Sequence, residues 1–199
     1  MFWAGAAKVP GVLIALPLLA FLSKHLDKKS ILIISVSTLA VLVSLPHNLK
    51  LFDLFPANDS AFILFALFIP LLIGYMIFPV STIIIDSQLV DIADEHELNT
   101  GERSEGIIFS IRSFGVKATN GIGGLIAGFG LEFIGFSETV EVGNLDPEAI
   151  TGLLALNGPI YLSIYMLAIL FMTFYKLDKV THSKILTELE ARRKHETLS

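Results

Sequence analysis

Residues 61–85 read AFILFALFIPLLIGYMIFPVSTIII and contain no charged side chain. An α-helix needs about 20 mainly apolar residues to cross about 30 Å of bilayer hydrocarbon. A helix also satisfies its backbone polar groups within one segment, which lipid requires. The stretch therefore predicts a transmembrane helix, and neighbouring helices are expected to accommodate its kinks at Pro70 and Pro79.

Four further hydrophobic runs flank this stretch. They predict spans at about residues 2–22, 31–45, 107–134 and 150–174. The 199-residue chain is 53% hydrophobic and 17% charged, far from an ordinary soluble composition. The expected fold class is an all-α integral membrane protein with about five transmembrane helices within residues 1–174. In the tail at 175–199, Ile185, Leu189 and Arg192/Arg193 suggest a short amphipathic surface helix, with a merely solvated helix as the alternative.

Composition and motifs exclude several classes of function. The net charge of −5 gives no reason to expect nucleic acid as a partner, and the absence of cysteine excludes thiolate metal sites. His96 lies between Glu95 and Glu97, but three adjacent residues of a regular helix cannot converge on one metal ion. Neither a nucleophile elbow, a zinc-protease motif nor a phosphate loop occurs. We therefore expect neither an enzyme, nor a metal site, nor a cofactor.

Basic residues predict the orientation of the spans. The turn after the first span contains Lys24, Lys28 and Lys29, and the hydrophilic segment after the third contains Arg103. The tail contains Lys176, Lys179, Lys184, Arg192, Arg193 and Lys194. The two remaining links contain Lys50 alone. Cytoplasmic loops carry the excess of Lys and Arg. The basic turn, the segment Asp91–Gly106 and the C-terminus are therefore expected in the cytoplasm, with the N-terminus outside.

Lys117 lies well inside the fourth span, where an ammonium group costs roughly 2.5 to 3.5 kcal/mol on insertion scales. It should therefore face the bundle interior or a watery cavity. Helical spacing places Ser113 and Asn120 on the same stripe, which continues into glycines that favour close helix packing. The stripe predicts a cavity-lining helix whose Lys117 belongs to a charge network for substrate or cation. The alternative is a lysine that pairs with a carboxylate to hold the packing.

The hydrophilic segment before the fourth span combines Asp94, Arg103 and Glu105. Pairs of Arg and carboxylate can hold helix ends together in one conformation and release them in another, or they can be inert surface pairs. Arg112 is expected to snorkel to this level or to pair with Glu105. Asp86, near the end of the third span, is either an ion-coupling carboxylate or a helix-end residue in water.

The segment from Asp94 to Lys117 carries a family resemblance. Its residues follow the pattern D-x-x-E-x-x-T-G-x-R-x-E-G, then an aromatic-Ser pair and a Lys: Asp94, Glu97, Thr100-Gly101, Arg103, Glu105-Gly106, Phe109-Ser110 and Lys117. The pattern resembles the melibiose-permease-like glycoside–pentoside–hexuronide:cation symporters of the major facilitator superfamily. The likeness extends over about residues 61–174. It implies a twelve-helix fold of inverted repeats, in which the five spans are helices eight to twelve.

This resemblance implies a function and a division of roles. The implied activity is movement of a sugar-like solute coupled to Na+ or H+ in the plasma or inner membrane. Lys117 would lie near the central cavity and the cation network, and the residues from Asp94 to Glu105 would gate the cytoplasmic side. Much of the solute site would come from an N-terminal half, so we expect that half or a partner chain to be missing here. The alternatives are a lysolipid facilitator of the same fold and a non-transporting membrane partner.

Overall fold

The computed structural model describes residues 2–57, 59–136, 146–175 and 179–198, and the side chains among residues 13–194. Helices and turns make up these residues, and no strand occurs among them. The helices are α1 (Phe2–His25), α2 (Lys28–Leu51), α3 (Ile63–Thr100), α4 (Glu105–Phe133), α5 (Pro147–Ala155), α6 (Tyr161–Thr173) and α7 (Lys179–Leu198). A π-helical turn, Leu156–Ile160, joins α5 to α6.

Three helical stretches in the described chain are long and apolar enough to cross a membrane. They are Lys28–Leu51, Ile63–Thr100 and Pro147–Thr173. α1 adds a shorter apolar piece, Leu13–His25. α4 is long enough, but its glycines and its polar residues Lys117 and Asn120 keep its hydropathy lower. The expected all-α membrane fold is confirmed, and the number of five spans stays a prediction.

The buried core lies where α1, α2 and α3 meet. It consists of Ala15 from α1, Ile31, Leu32 and Val36 from α2, and Val80 and Ile84 from α3. Lipid is as apolar as leucine, so close contact and interhelical hydrogen bonds hold such helices together. Ser81 donates a buried hydrogen bond of 3.0 Å to Ser35 across the α2–α3 contact.

α3 continues well beyond the span predicted for it. The sequence analysis ended that span near residue 85 and treated Asp91–Gly106 as a loop, whereas the helix runs to Thr100. No Gly or Pro interrupts residues 86–100, so nothing in the backbone stops the helix there. Gly101 ends it, with φ +78° and its N–H bonded to the Glu97 carbonyl at 2.8 Å. The extension carries the carboxylates to one end of the bundle as a rigid rod.

α5, the π-helical turn and α6 form one nearly continuous rod against α2. The π-helical turn contains Asn157-Gly158-Pro159, and the α-helix is interrupted there because Pro159 has no backbone N–H to donate. Gly158 is buried here, and a Cβ at this position would lie 3.0 Å from Oδ1 of Asn48. The missing side chain therefore lets α2 approach the rod closely.

α4 and α7 differ sharply in how they contact the rest of the protein. α4 has no buried residue and makes few contacts with α3, so most of its surface is exposed in the described part of the chain. α7 packs against the extension of α3 and buries Ile185 and Leu189 there. The described tail is therefore a docked helix rather than a fully solvated one.

Candidate functional site

One end of the bundle collects most of the charged residues that the sequence analysis singled out. The turn between α1 and α2, the ends of α3 and α6, the beginning of α4 and the tail helix all meet there. Lys29 donates to the carbonyls of Thr173 and Tyr175 at 2.6 and 2.8 Å, which satisfies the unpaired carbonyls at the end of α6. The basic turn thus joins two spans at this end. Lys176, expected to mark the same side, lies outside the described residues.

Two carboxylates of α3 meet a lysine of α2 and a histidine of α7. Asp91 and Asp94 are three residues apart and so share a helix face. Lys28 of α2 donates to both oxygens of Asp91 at 2.7 Å. Nε2 of His182, on α7, lies 3.1 Å from Oδ2 of Asp94 and 3.4 Å from Oδ1 of Asp91. We call Lys28, Asp91, Asp94 and His182 the tail-docking cluster.

A second group of ion pairs surrounds the turn between α3 and α4. Glu97 accepts from Arg193 of α7 at 2.6 Å and from Arg103 at 3.4 Å. Arg103 also donates a short hydrogen bond to Glu105, and these neighbours raise the pKa of its guanidinium, Glu105 most strongly. Arg103 and Glu105 are therefore paired as expected, but Asp94 pairs with the tail helix instead of with them.

Arg112 pairs with Asp86 rather than with Glu105. Its Nε lies 2.5 Å from Oδ1 of Asp86, without the angle of a hydrogen bond. The partner differs from expectation because α3 continues as a helix beside the first turns of α4, which places residue 86 within reach of residue 112. The two candidate residues become one ion pair between two helices.

Lys117 lies at an open groove along α4. The groove has a volume of about 410 Å³ and is lined by Gly106, Phe109, Ser110, Ser113, Phe114 and Lys117. Lys117 is exposed and makes no hydrogen bond or ion pair with any described residue. Asn120 is also exposed, on the same helix but outside the lining of this groove. The structure brings Ser113 and Lys117 together, and no other helix of the described chain faces them.

Sequence reasoning missed His182, Lys28 and Asp91 as parts of the site. The sequence contains a pattern that could have indicated this role of the tail. One face of a helix there would collect four residues, His182, Ile185, Leu189 and Arg193. Asp91 and Asp94 share a face only if α3 extends that far, which the loop assignment had excluded. No group of three or more potential metal ligands occurs in the part of the chain that the structure describes.

Comparison with known proteins identifies the family of the chain. Residues 1–179 match the family described as MFS/sugar transport protein. The chain belongs to this family. The match confirms the resemblance drawn from Asp94 to Lys117, and it makes the chain an integral membrane member of a transporter family rather than an enzyme.

Two Bacillus subtilis (strain 168) proteins are similar to part of this family member. The uncharacterized symporter YnaJ is 32% identical over 98 residues, covering 49% of the chain and 20% of the relative. The uncharacterized symporter YjmB is 31% identical over 102 residues, covering 51% of the chain and 22% of the relative. The chain thus aligns with about a fifth of the length of the curated relatives it matches. No solved structure matches it.

Proposed function

We propose that this chain is the C-terminal part of a secondary active transporter that couples Na+ or H+ to the movement of a sugar or a related solute. Membership of the MFS/sugar transport family and the word symporter in the names of both relatives support the proposal. In this proposal the chain contributes five spans, and an N-terminal half or a partner chain completes the bundle. Alternating access then arises as the two halves rock about a shared central site.

The open polar face of α4 is the observation that carries the proposal. An uncompensated lysine facing lipid is costly, and ionisable residues within spans almost always face a bundle interior or a watery cavity. Lys117 and Ser113 lie on an exposed groove that no other described helix covers. A second half packed over α4 would turn this groove into the wall of a central cavity.

The residues divide into a pathway and a gate in this proposal. Ser113, Lys117 and Asn120 line the solute and cation pathway. The pair Asp86–Arg112 holds α3 and α4 together just on the gate side of that pathway, and its carboxylate is the candidate for ion coupling. The gate consists of the ion pairs around Asp94, Glu97, Arg103 and Glu105, which would form in one state and separate in the other.

The orientation follows from the same charges. The proposal places the basic turn, the end of α3 and α7 in the cytoplasm, and the membrane is the plasma or inner membrane. The clustering of Lys28, Lys29 and Arg103 at one end of the bundle supports this placement, because positive residues are retained on the cytoplasmic side.

Transport by the full-length protein tests the proposal. Membrane vesicles would receive an inward Na+ or H+ gradient, and uptake of a panel of labelled sugars and glycosides would be measured. We expect gradient-driven uptake that Lys117→Ala lowers at least about tenfold, because the charge that lines the pathway would lower the transport barrier by at least about 1.4 kcal/mol. Lys184→Ala is the matched control, because Lys184 is exposed on α7 and should leave uptake unchanged.

Three outcomes would contradict parts of the proposal. Uptake that survives Lys117→Ala would remove Lys117 from the pathway. Competition by lysolipids but not by sugars would assign a lipid cargo to the same fold. A stable complex with another membrane protein and no solute flux under any gradient would make the chain a non-transporting partner subunit.

A further inference from the structure

The tail helix α7 presents one continuous face to α3. Along this face lie His182, Ile185, Leu189 and Arg193, and the two apolar side chains are only 6% and 3% exposed. Arg193 reaches Glu97 at 2.6 Å, and His182 reaches Asp94 at 3.1 Å. Two apolar contacts thus lie between two polar ones, which is the pattern of a docked helix rather than of a solvated one.

His182 occupies the most enclosed polar position of this face. Its side chain is 19% exposed, and those of Asp91 and Asp94 are 7% and 11% exposed. The imidazole Nε2 lies within 3.4 Å of both carboxylates, so one ring nitrogen serves two acceptors. A neutral imidazole can donate one hydrogen from this nitrogen, whereas an imidazolium adds a full positive charge beside both acceptors.

The charged groups around His182 are arranged so that an imidazolium there would have a carboxylate to pair with. Asp91 already pairs with Lys28, whereas the ion pair of Asp94 among the described residues is the one with His182. Lys28, Asp27 and Lys179 line a cavity of about 310 Å³ together with His182, which gives water and protons a route to the ring. Burial, aided by Asp91 and Glu95, raises the pKa of the Tyr175 phenol to about 12, so it stays neutral near neutral pH.

We propose that α7 is a pH-sensitive clasp, in which protonation of His182 strengthens the docking of the tail helix onto Asp91 and Asp94 of α3. Imidazoles generally change charge between about pH 5 and 8, a range in which carboxylates stay ionised. Docking therefore strengthens as the pH falls through this range and weakens as it rises.

The clasp has a mechanical consequence for the bundle. Docked α7 contacts Asp91 of α3, which Lys28 of α2 also contacts, so the three helices meet at one carboxylate. Undocked α7 leaves Asp94 without its described partner and frees the end of α3. The inference concerns docking alone and does not depend on the proposed transport function.

Thiol accessibility measures docking directly, because the chain has no cysteine of its own. Ile185→Cys places a thiol on the buried face of α7, and Leu186→Cys places one on the exposed face. Each variant of the full chain would be labelled in lipid nanodiscs, where both membrane sides are open to the reagent. The ratio of labelling rates, buried over exposed, cancels the pH dependence of thiol chemistry itself. Leu189→Cys provides a second buried position in case Ile185→Cys weakens docking.

We expect the ratio to lie below one and to fall roughly three- to tenfold between pH 8 and pH 6, the range for one partly buried charged contact. His182→Gln keeps a side-chain amide but cannot titrate, so its ratio should be independent of pH. Asp94→Asn should reduce the response. His96→Gln is the matched control, because His96 is an exposed histidine of α3 and should leave the response intact.

Three results would overturn the inference. A ratio that is equal at pH 8 and pH 6 with His182 present would show that protonation does not change docking. A response that persists in His182→Gln would assign the pH dependence to another group. A ratio near one at both pH values would show that α7 is not docked at all, which also overturns the clasp.

Discussion

Charged side chains at membrane depth are the most informative residues of this protein. Asp86 and Arg112 form an ion pair between α3 and α4, with side chains 43% and 28% exposed. Partial exposure weakens the stabilisation that such a pair provides. Exposed pairs measured in double-mutant cycles stabilise the folded protein by about 0.2 to 1 kcal/mol. The pair nevertheless matters, because α4 makes few other contacts with the bundle.

A double-mutant cycle on this pair tests its contribution. Arg112→Gln and Asp86→Asn should each destabilise the chain, and the double variant should be more stable than the sum of the two losses predicts. We expect a coupling free energy of roughly 0.5 to 1 kcal/mol, because each single change leaves the other charge unpaired. Thermal unfolding in detergent is the measurement, and Arg192→Gln on the exposed side of α7 is the control. Strictly additive effects would show that the pair contributes nothing.

At the scale of elements, the end of α3 determines which residues form the site. Gly101 has φ +78°, a region that costs other L-residues roughly 1 kcal/mol. The turn that it makes returns the chain at once into α4, so Arg103 can reach Glu97 and Glu105 together. This turn gives a structural reason for the glycine in the Thr100-Gly101 dipeptide of the family pattern.

Gly101→Ala should therefore destabilise the chain by about 1 kcal/mol and weaken the contacts of Arg103. Gly101→Asn should lose less stability than Gly101→Ala, because Asn tolerates the left-handed region of backbone conformation. Gly106→Ala is the control, since Gly106 is helical and a Cβ there meets nothing within 4 Å. Thermal unfolding of the three variants is the measurement. Equal losses of stability in Gly101→Ala and Gly106→Ala would contradict this role for Gly101.

At the scale of the whole molecule, α4 leaves most of its surface uncovered by the other described helices. Its glycines Gly121, Gly124 and Gly128 would each accept a Cβ without meeting any atom within 4 Å. Small residues on a transmembrane helix usually mark a face where another helix approaches closely. The unused stripe agrees with the proposal that a second half covers α4.

Gly124→Ala distinguishes a covered stripe from an open one. In the 199-residue chain it should be neutral or stabilising by up to about 1 kcal/mol, since alanine is the better helix former. In the full-length protein the same change should destabilise by roughly 1 to 3 kcal/mol, because the added methyl group would overpack a close contact. Thermal unfolding of both proteins is the measurement. The same stabilising effect in both would mean that no helix covers this stripe.

Much of the site could be predicted from the sequence, although not all of its pairings. The spacing from Asp94 to Lys117 identified the family, and the pairing of Arg103 with Glu105 follows because the two residues are close in the chain. The partners of Asp86, Asp91 and Asp94 could not be predicted. Each of them comes from another helix, and only three-dimensional packing brings it near.

The sequence alone determined the solvent, the class of fold and the family. Hydropathy over about 20 residues reports the surroundings of a helix whatever its neighbours are, and a local motif keeps its spacing in any packing. The tertiary structure alone decided that α7 docks through His182 and that Lys117 faces an open groove. These features depend on contacts between residues far apart in the chain, and one-dimensional patterns do not record such contacts.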